Sequence, residues 1–121
     1  GTVCNGFNSL VVGAYDSHAQ NFAFGPFSSM GPTVDGRCKP DLVAPGVRIV
    51  AARSAQRWHT TSKGALTIMS GTSMASPHVA GTVARVLELL PPGTPFHVIR
   101  NIILSSTDAV RTQEGARLGH G

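Results

Sequence analysis

Charge is what this 121-residue sequence has least of: Asp, Glu, Lys and Arg make up 13% of it, where about 25% is usual for a globular chain. So thin a charged complement predicts surfaces that are covered by other protein, as in a piece of a larger molecule. The 10 basic and 6 acidic residues leave a formal charge of +4, but the basic positions are scattered singly. No cluster is available to neutralise a run of phosphates, so no nucleic-acid partner is expected.

Long apolar runs are also missing. The best candidate, residues 74–90, is interrupted by His78, Arg85 and Glu88, short of the roughly 20 apolar residues a membrane helix requires. No membrane-spanning helix is predicted, and a membrane is not among the expected partners. No basic-then-apolar leader opens the sequence, so an export signal is expected to have been removed or to lie upstream. Cysteine is scarce as well: Cys4 and Cys38 are the two present, without the paired spacing of a zinc site. A disulfide between them and two unpaired thiols both stay open.

Glycine and proline, 14 and 8 residues, are above their average usage of about 7% and 5%, and apolar residues reach 41%. The chain is turn-rich yet has material for a core. Residues 10–15, Leu-Val-Val-Gly-Ala-Tyr, read as a strand buried on both faces, the kind parallel sheets use. Residues 16–39 form a long irregular connection whose Phe22, Phe24 and Phe27 are expected to pack partly on the core. Leu42-Val43-Ala44 and residues 47–52 are further extended pieces, and 65–69 is a strand returning from a polar excursion that carries Trp58 and His59.

From Ser73 to Leu90 the period becomes helical, with His78, Thr82, Arg85 and Glu88 tracing one narrow polar stripe. Such a helix is expected to be buried on most sides, with Ser76, Ala80 and Ala84 admitting a neighbouring backbone closely. Pro91-Pro92-Gly93 ends it. Thr94-Pro95 then predicts a second helix, Thr94 as its N-cap, with Phe96, Ile99, Ile102 and Ile103 on one apolar face. Strands followed by helices predict an α/β layer fold, although so few elements would have difficulty covering both faces of a parallel sheet.

Ser73 is the position with chemical potential. A strand, a glycine turn and a helix start would expose its hydroxyl beside backbone N–H groups that have no partner within the helix, and those donors suit a developing oxyanion. Pro77 fits a helix start, because it removes the N–H that would reach the carbonyl of residue 73. The plainer alternative is that Ser73 or Thr72 is only an N-cap.

Residues 71–81, Gly-Thr-Ser-Met-Ala-Ser-Pro-His-Val-Ala-Gly, change that balance. They resemble the nucleophile segment of the subtilisin-like serine proteases, the subtilase family, at every position. Residues 27–32, Phe-Ser-Ser-Met-Gly-Pro, and 39–46, Lys-Pro-Asp-Leu-Val-Ala-Pro-Gly, are similar to two further family segments, in the family's order. Residues 11–16 resemble the preceding strand, and Thr94-Pro95 with its helix the closing one.

The resemblance implies a subtilisin-like α/β fold with a mainly parallel sheet flanked by helices, incomplete on its own, residues 1–121 being a C-terminal portion of the catalytic domain. It implies a serine endopeptidase acting on polypeptides, with Ser73 as nucleophile and one oxyanion donor through its N–H, and Thr72 and Gly71 supporting that loop. The family's catalytic Asp and His segments and its side-chain oxyanion Asn are not found here. Asn5-Gly6 lies too close to the strand at Leu10 to take the Asn role. The missing N-terminal part of the domain is therefore an expected partner, and Gly119-His120-Gly121 looks like the start of a truncated last segment. Export from the cytoplasm is implied by resemblance alone. No cofactor is expected; calcium binding is frequent in the family, but no ligand residue is assignable.

Within this chain no base is pointed at Ser73. His78, five residues along the same helix, lies about 140° around its axis, and His18, His59, His97 and His120 fall in loops or on a helix edge. Asp41 and Asp16 read as loop or turn carboxylates. An α/β-hydrolase triad of Ser73, Asp108 and His120 has the right order but lacks the second elbow glycine. Residues 31–36 have P-loop spacing but continue with Arg37-Cys38 in place of Lys and Ser or Thr. The remaining alternative is a non-catalytic structural or interaction module derived from a subtilase.

Overall fold

The computed structural model describes residues 6–54 and 64–108. Strand β1 (Val12–Asp16) lies between β2 (Ala23–Phe24) and β3 (Leu42–Pro45). The β1–β3 pair is parallel, Val12 opposite Leu42 and Ala14 opposite Ala44, and forms the parallel centre expected of the sheet. The other two pairings are antiparallel. The two-residue β2 returns on β1, and β4 (Ile49–Ala52) pairs with β5 (Leu66–Met69) as a separate ribbon. Helix α1 (Thr72–Leu89) packs on β1 and β3, and α2 (Phe96–Ser105) packs on α1.

Buried apolar residues are few among the described residues, and none is aromatic. Ala14, Leu42, Ala44, Ala75, Val79, Ile99 and Ile103 make one cluster, and among the described residues no large side chain is fully enclosed. The reading of α1 as buried on most sides does not hold for this chain. Its inward stripe is Ala75 and Val79, continued by the partly buried Val83, Val86 and Leu90, while Ser76, Ala80 and Ala84 face outward. The polar stripe is exposed, but it carries no information on how many other faces find a partner. Leu66, Ile68 and Val50 on the β4–β5 ribbon are exposed in the same way.

Thr94 is not the cap of α2. Pro95 occupies the N-cap position, and the Thr94 hydroxyl instead donates to the Pro91 carbonyl at 2.6 Å, tightening the turn between the helices. Ile99 and Ile103 do face inward as expected, with Phe96 left 43% exposed. The phenylalanine-rich connection also behaves differently from expectation. Phe22 stacks on Tyr15 with 5.2 Å between ring centroids and meets Phe24 edge-on, so these rings pack on one another at the end of β1 more than on the core. Phe22 and Phe27 stay 40% and 42% exposed. Trp58 and His59 lie outside the described residues, as does Cys4, and with it any pairing of the exposed Cys38.

Residues 31–39 close as a small hairpin rather than a phosphate loop. The Gly31 N–H donates to the Lys39 carbonyl at 2.6 Å and the Thr33 N–H to the Arg37 carbonyl at 3.0 Å. At its tip the Thr33 hydroxyl and the Arg37 guanidinium hold the Asp35 carboxyl below the usual carboxylate range. The connection before the hairpin is tied to β1. The Gly25 N–H donates to the Ala14 carbonyl at 2.9 Å, and the Ala14 N–H to Ser28 Oγ at 3.0 Å.

Asp41, just before β3, is the electrostatic anchor. Its buried carboxylate accepts from the Val11 N–H (2.7 Å), Lys39 Nζ (2.6 Å) and Arg100 Nη2 on α2 (2.7 Å). Burial pushes this carboxyl up; the bonds from Lys39, the Val11 N–H and Arg100 outweigh it and hold the group below its ordinary value. A carboxyl whose folded value is depressed adds stability above its unfolded pKa of about 3.9 and loses it as pH falls through the folded value. Acid unfolding of the wild type should therefore steepen below about pH 4, and Asp41→Ala should flatten that limb. The substitution leaves two cations unpaired and should cost about 3 kcal/mol at neutral pH, measured by urea unfolding across pH.

Candidate active site

The route to Ser73 begins at the end of β3. There the chain turns at Pro45-Gly46, and the strand-to-helix turn at Ser70-Gly71 passes directly over it. The Gly71 N–H donates to the Gly46 carbonyl at 2.8 Å. A Cβ at Gly46 would stand 2.5 Å from the Ala14 Cβ, 2.9 Å from the Gly71 oxygen and 3.3 Å from the Ala75 Cβ. Only a residue without a side chain lets β1, the turn and α1 converge there. Two residues after Gly46, the Arg48 N–H donates to Ser70 Oγ at 2.9 Å.

Gly71 is the N-cap of α1, and no side chain caps the helix. The N-cap alternative for Ser73 and Thr72 is thereby removed: they are the second and first residues of the helix proper. The Met74 and Ala75 N–H groups turn back to the Gly71 carbonyl, at 2.9 and 3.4 Å. Among the described residues the Thr72 and Ser73 N–H groups have no acceptor, and no hydrogen bond engages the Ser73 hydroxyl. The first turn carries no acidic residue, so the positive end of the helix dipole is not neutralised locally. Pro77 is accommodated one turn in, where its missing N–H would have faced the Ser73 carbonyl.

Ser73 and Thr72 open onto a cleft of about 560 Å³, walled on one side by Gly6, Ser9 and residues 10–12 and on the other by Ser76 and Pro77. This cleft separates the start of β1 from the start of α1. An exposed hydroxyl, two undirected N–H groups and a helix N-terminus in one depression can hold and polarise an oxygen that becomes negative. They supply no proton acceptor. The His78 ring bonds backward through Nδ1 to the Met74 carbonyl, 2.8 Å, in keeping with its expected outward direction. His18 belongs to the turn after β1, where its N–H meets Asp16 Oδ1 at 2.9 Å, and His97 is exposed on α2. Asp41 is committed to Lys39 and Arg100, and Asp108 is exposed beyond α2. His59 and His120 lie outside the described residues. Among those residues no group of three or more His, Cys, Asp or Glu side chains gathers in a metal-binding arrangement.

Sequence reasoning had not picked out Gly46, Arg48 or Ser70 as part of the site. The Pro45-Gly46 pair was a visible signal for a turn, but its contact with Gly71 spans 25 positions of sequence and arises only when the layers close.

Fold and site together define an α/β layer protein that displays an uncapped serine at the start of a sheet-packed helix. Residues 2–121 match the subtilase family of S8 peptidases. The serine protease AprX of Bacillus subtilis is 34% identical over 122 residues, which take in 93% of this chain and 27% of AprX. An extracellular serine proteinase of a Thermus species is 42% identical over 107 residues, 88% of this chain and 22% of that protein. The solved structure of the CspB protease of Clostridium perfringens superposes with a TM-score of 0.67 at 28% identity, over 93% of this chain and 24% of CspB. The chain belongs to the subtilase family and is related to its serine proteases. It spans about a quarter of the length of these relatives.

The glycine turn sets the geometry of the site, and Gly46→Ala tests it. The added methyl must displace Ala14, Ala75 or the Gly71 carbonyl, at a cost of about 1–3 kcal/mol for overpacking. Denaturant unfolding should show that loss, whereas Gly64→Ala, where nothing lies within 4 Å of the new methyl, should show a change near zero.

Proposed function

We propose that this chain carries the nucleophile of a subtilisin-like serine endopeptidase and forms the C-terminal portion of its catalytic domain. The observation that carries the reading is Ser73 itself: exposed, not used as a cap, with its own N–H and that of Thr72 unengaged at the head of α1, inside a segment that resembles the family's nucleophile motif throughout. Catalytic Asp and His, and the side-chain oxyanion donor, come from the remainder of the parent polypeptide.

The proposed reaction is peptide-bond hydrolysis through an acyl-enzyme. Ser73 Oγ attacks the scissile carbonyl carbon while its proton passes to the parent's His. The carbonyl oxygen, now an anion, accepts from the Ser73 N–H, a donor that needs no reorganisation because the helix start already leaves it free. Collapse expels the amine, which takes up the proton, and water then hydrolyses the ester on Ser73. Gly71 and Thr72 support the loop. Gly71 joins it to β3, and Thr72 adds a second free N–H at the helix head. The substrate is a polypeptide, and no cofactor takes part in these steps. Kinship with an extracellular proteinase supports a place of action outside the cytoplasm.

In the complete polypeptide, Ser73→Ala should lower peptide hydrolysis by at least about 10⁴-fold and abolish covalent labelling by phenylmethanesulfonyl fluoride, while residues 1–121 alone cleave no peptide amide. Retained hydrolysis in Ser73→Ala overturns the reading. So does a coding sequence whose upstream region holds no Asp and His segments, an outcome that would favour the non-catalytic module.

A further inference from the structure

We propose that Ser70 is a positioning residue for Ser73, acting through a hydrogen bond to the backbone of Arg48; the inference rests on Ser73 being the nucleophile. In the β4–β5 ribbon Ile49 stands opposite Met69, so the next pair outward is Arg48 and Ser70. At that point the chain has to leave β5 to begin α1, and the backbone ladder ends. The ladder is extended by one rung of a different kind: the Arg48 N–H donates to Ser70 Oγ, at 2.9 Å, with a side-chain oxygen taking the place of a backbone carbonyl.

Arg48 supports this role by its own conformation. Its φ is 52°, and it is the one non-glycine residue with positive φ among those described. Residues with a Cβ rarely adopt this left-handed region, and such outliers gather where the surrounding structure demands a particular backbone direction. Here the demanded direction is that of the N–H aimed at Ser70. The turn leading to the nucleophile is thus held at two consecutive residues by the same connection, Ser70 by Arg48 and Gly71 by Gly46. The ladder ends at Met69, and these two bonds carry its restraint on through the turn. Because Ser73 follows directly, its Oγ and N–H inherit that orientation together.

The tie lies on the exposed surface and buries no apolar group, so its removal should act on geometry more than on folding. Misplacing a reacting atom by about 1 Å costs up to about 10²-fold, and a partial loss of restraint should cost about tenfold in kcat. The test is Ser70→Ala and Ser70→Thr in the complete polypeptide. The expected result is a kcat about tenfold lower for Ser70→Ala with KM unchanged, labelling by phenylmethanesulfonyl fluoride slowed by a similar factor, and both restored in Ser70→Thr, which keeps the acceptor oxygen. An unchanged kcat in Ser70→Ala, a loss that only tracks a smaller folded fraction in thermal melts, or a failure of Thr to restore the rate would each overturn the proposal. Ser73→Ala run in parallel separates the two readings. If it is inert while Ser70→Ala is fully active, the nucleophile stands and the positioning role falls; if it remains active, the nucleophile reading itself has failed.

Discussion

Helix α1 can reach the strand layer only because the residues at their closest contact have almost no side chain. Ala14 on β1, Gly46 after β3, Gly71 at the N-cap and Ala75 on the first turns of α1 meet at one point, and an added methyl at Gly46 would lie within 3.3 Å of the other three. Everything that makes Ser73 chemically interesting depends on that contact. It brings the helix head down onto the end of the parallel pair, leaves the first N–H groups facing the cleft, and lets backbone rather than side chain close the turn. A larger residue at Gly46 would push the helix start away from the layer.

The four residues of β3 are bracketed by two different kinds of restraint. At one end the buried Asp41 gathers the start of β1, Lys39 and the arginine of α2; at the other, Gly46 gathers β1, the turn and α1. The first is directional and electrostatic, and removing one partner leaves charge unpaired. The second is steric. Between them they orient both helices relative to the parallel pair, which explains how a chain with so few buried apolar residues still specifies the position of one serine. A chain poor in charge spends two cations and a carboxylate at a single place, and through the Val11 N–H that place also holds the wall of the cleft that faces Ser73.

Local patterns were legible in the sequence, and partnerships were not. The long helix is readable at 73–90 and found at Thr72–Leu89, because the polar stripe and the Pro-Pro-Gly stop are both local. The close approach expected along Ser76, Ala80 and Ala84 falls instead on Ala75 and Val79, because small residues occur on both lines and only the contact with Gly46 distinguishes them. The unbroken apolar run before Asp16 marks β1, whereas β2 is two residues long and exists only as a partner of β1. Asp41 is recognisable as an anchoring carboxylate, but its bond to Arg100 crosses 59 positions. Ser73 stood out through its surroundings in the chain; the ties at Gly46 and Ser70 that orient it belong to the tertiary structure alone.

The contact among Ala14, Gly46, Gly71 and Ala75 also has an evolutionary consequence. Glycine and alanine are the smallest residues, so a random missense change at either glycine always adds atoms, and at either alanine it does so unless the product is glycine. Mutation at Gly46 is therefore one-directional: every change adds atoms where none fit. In a gene copy released from selection, any change at Gly46 would press on Ala14, Ala75 and the Gly71 carbonyl. The helix head would lose its seat on the strands while the surrounding motif could still be read in the sequence.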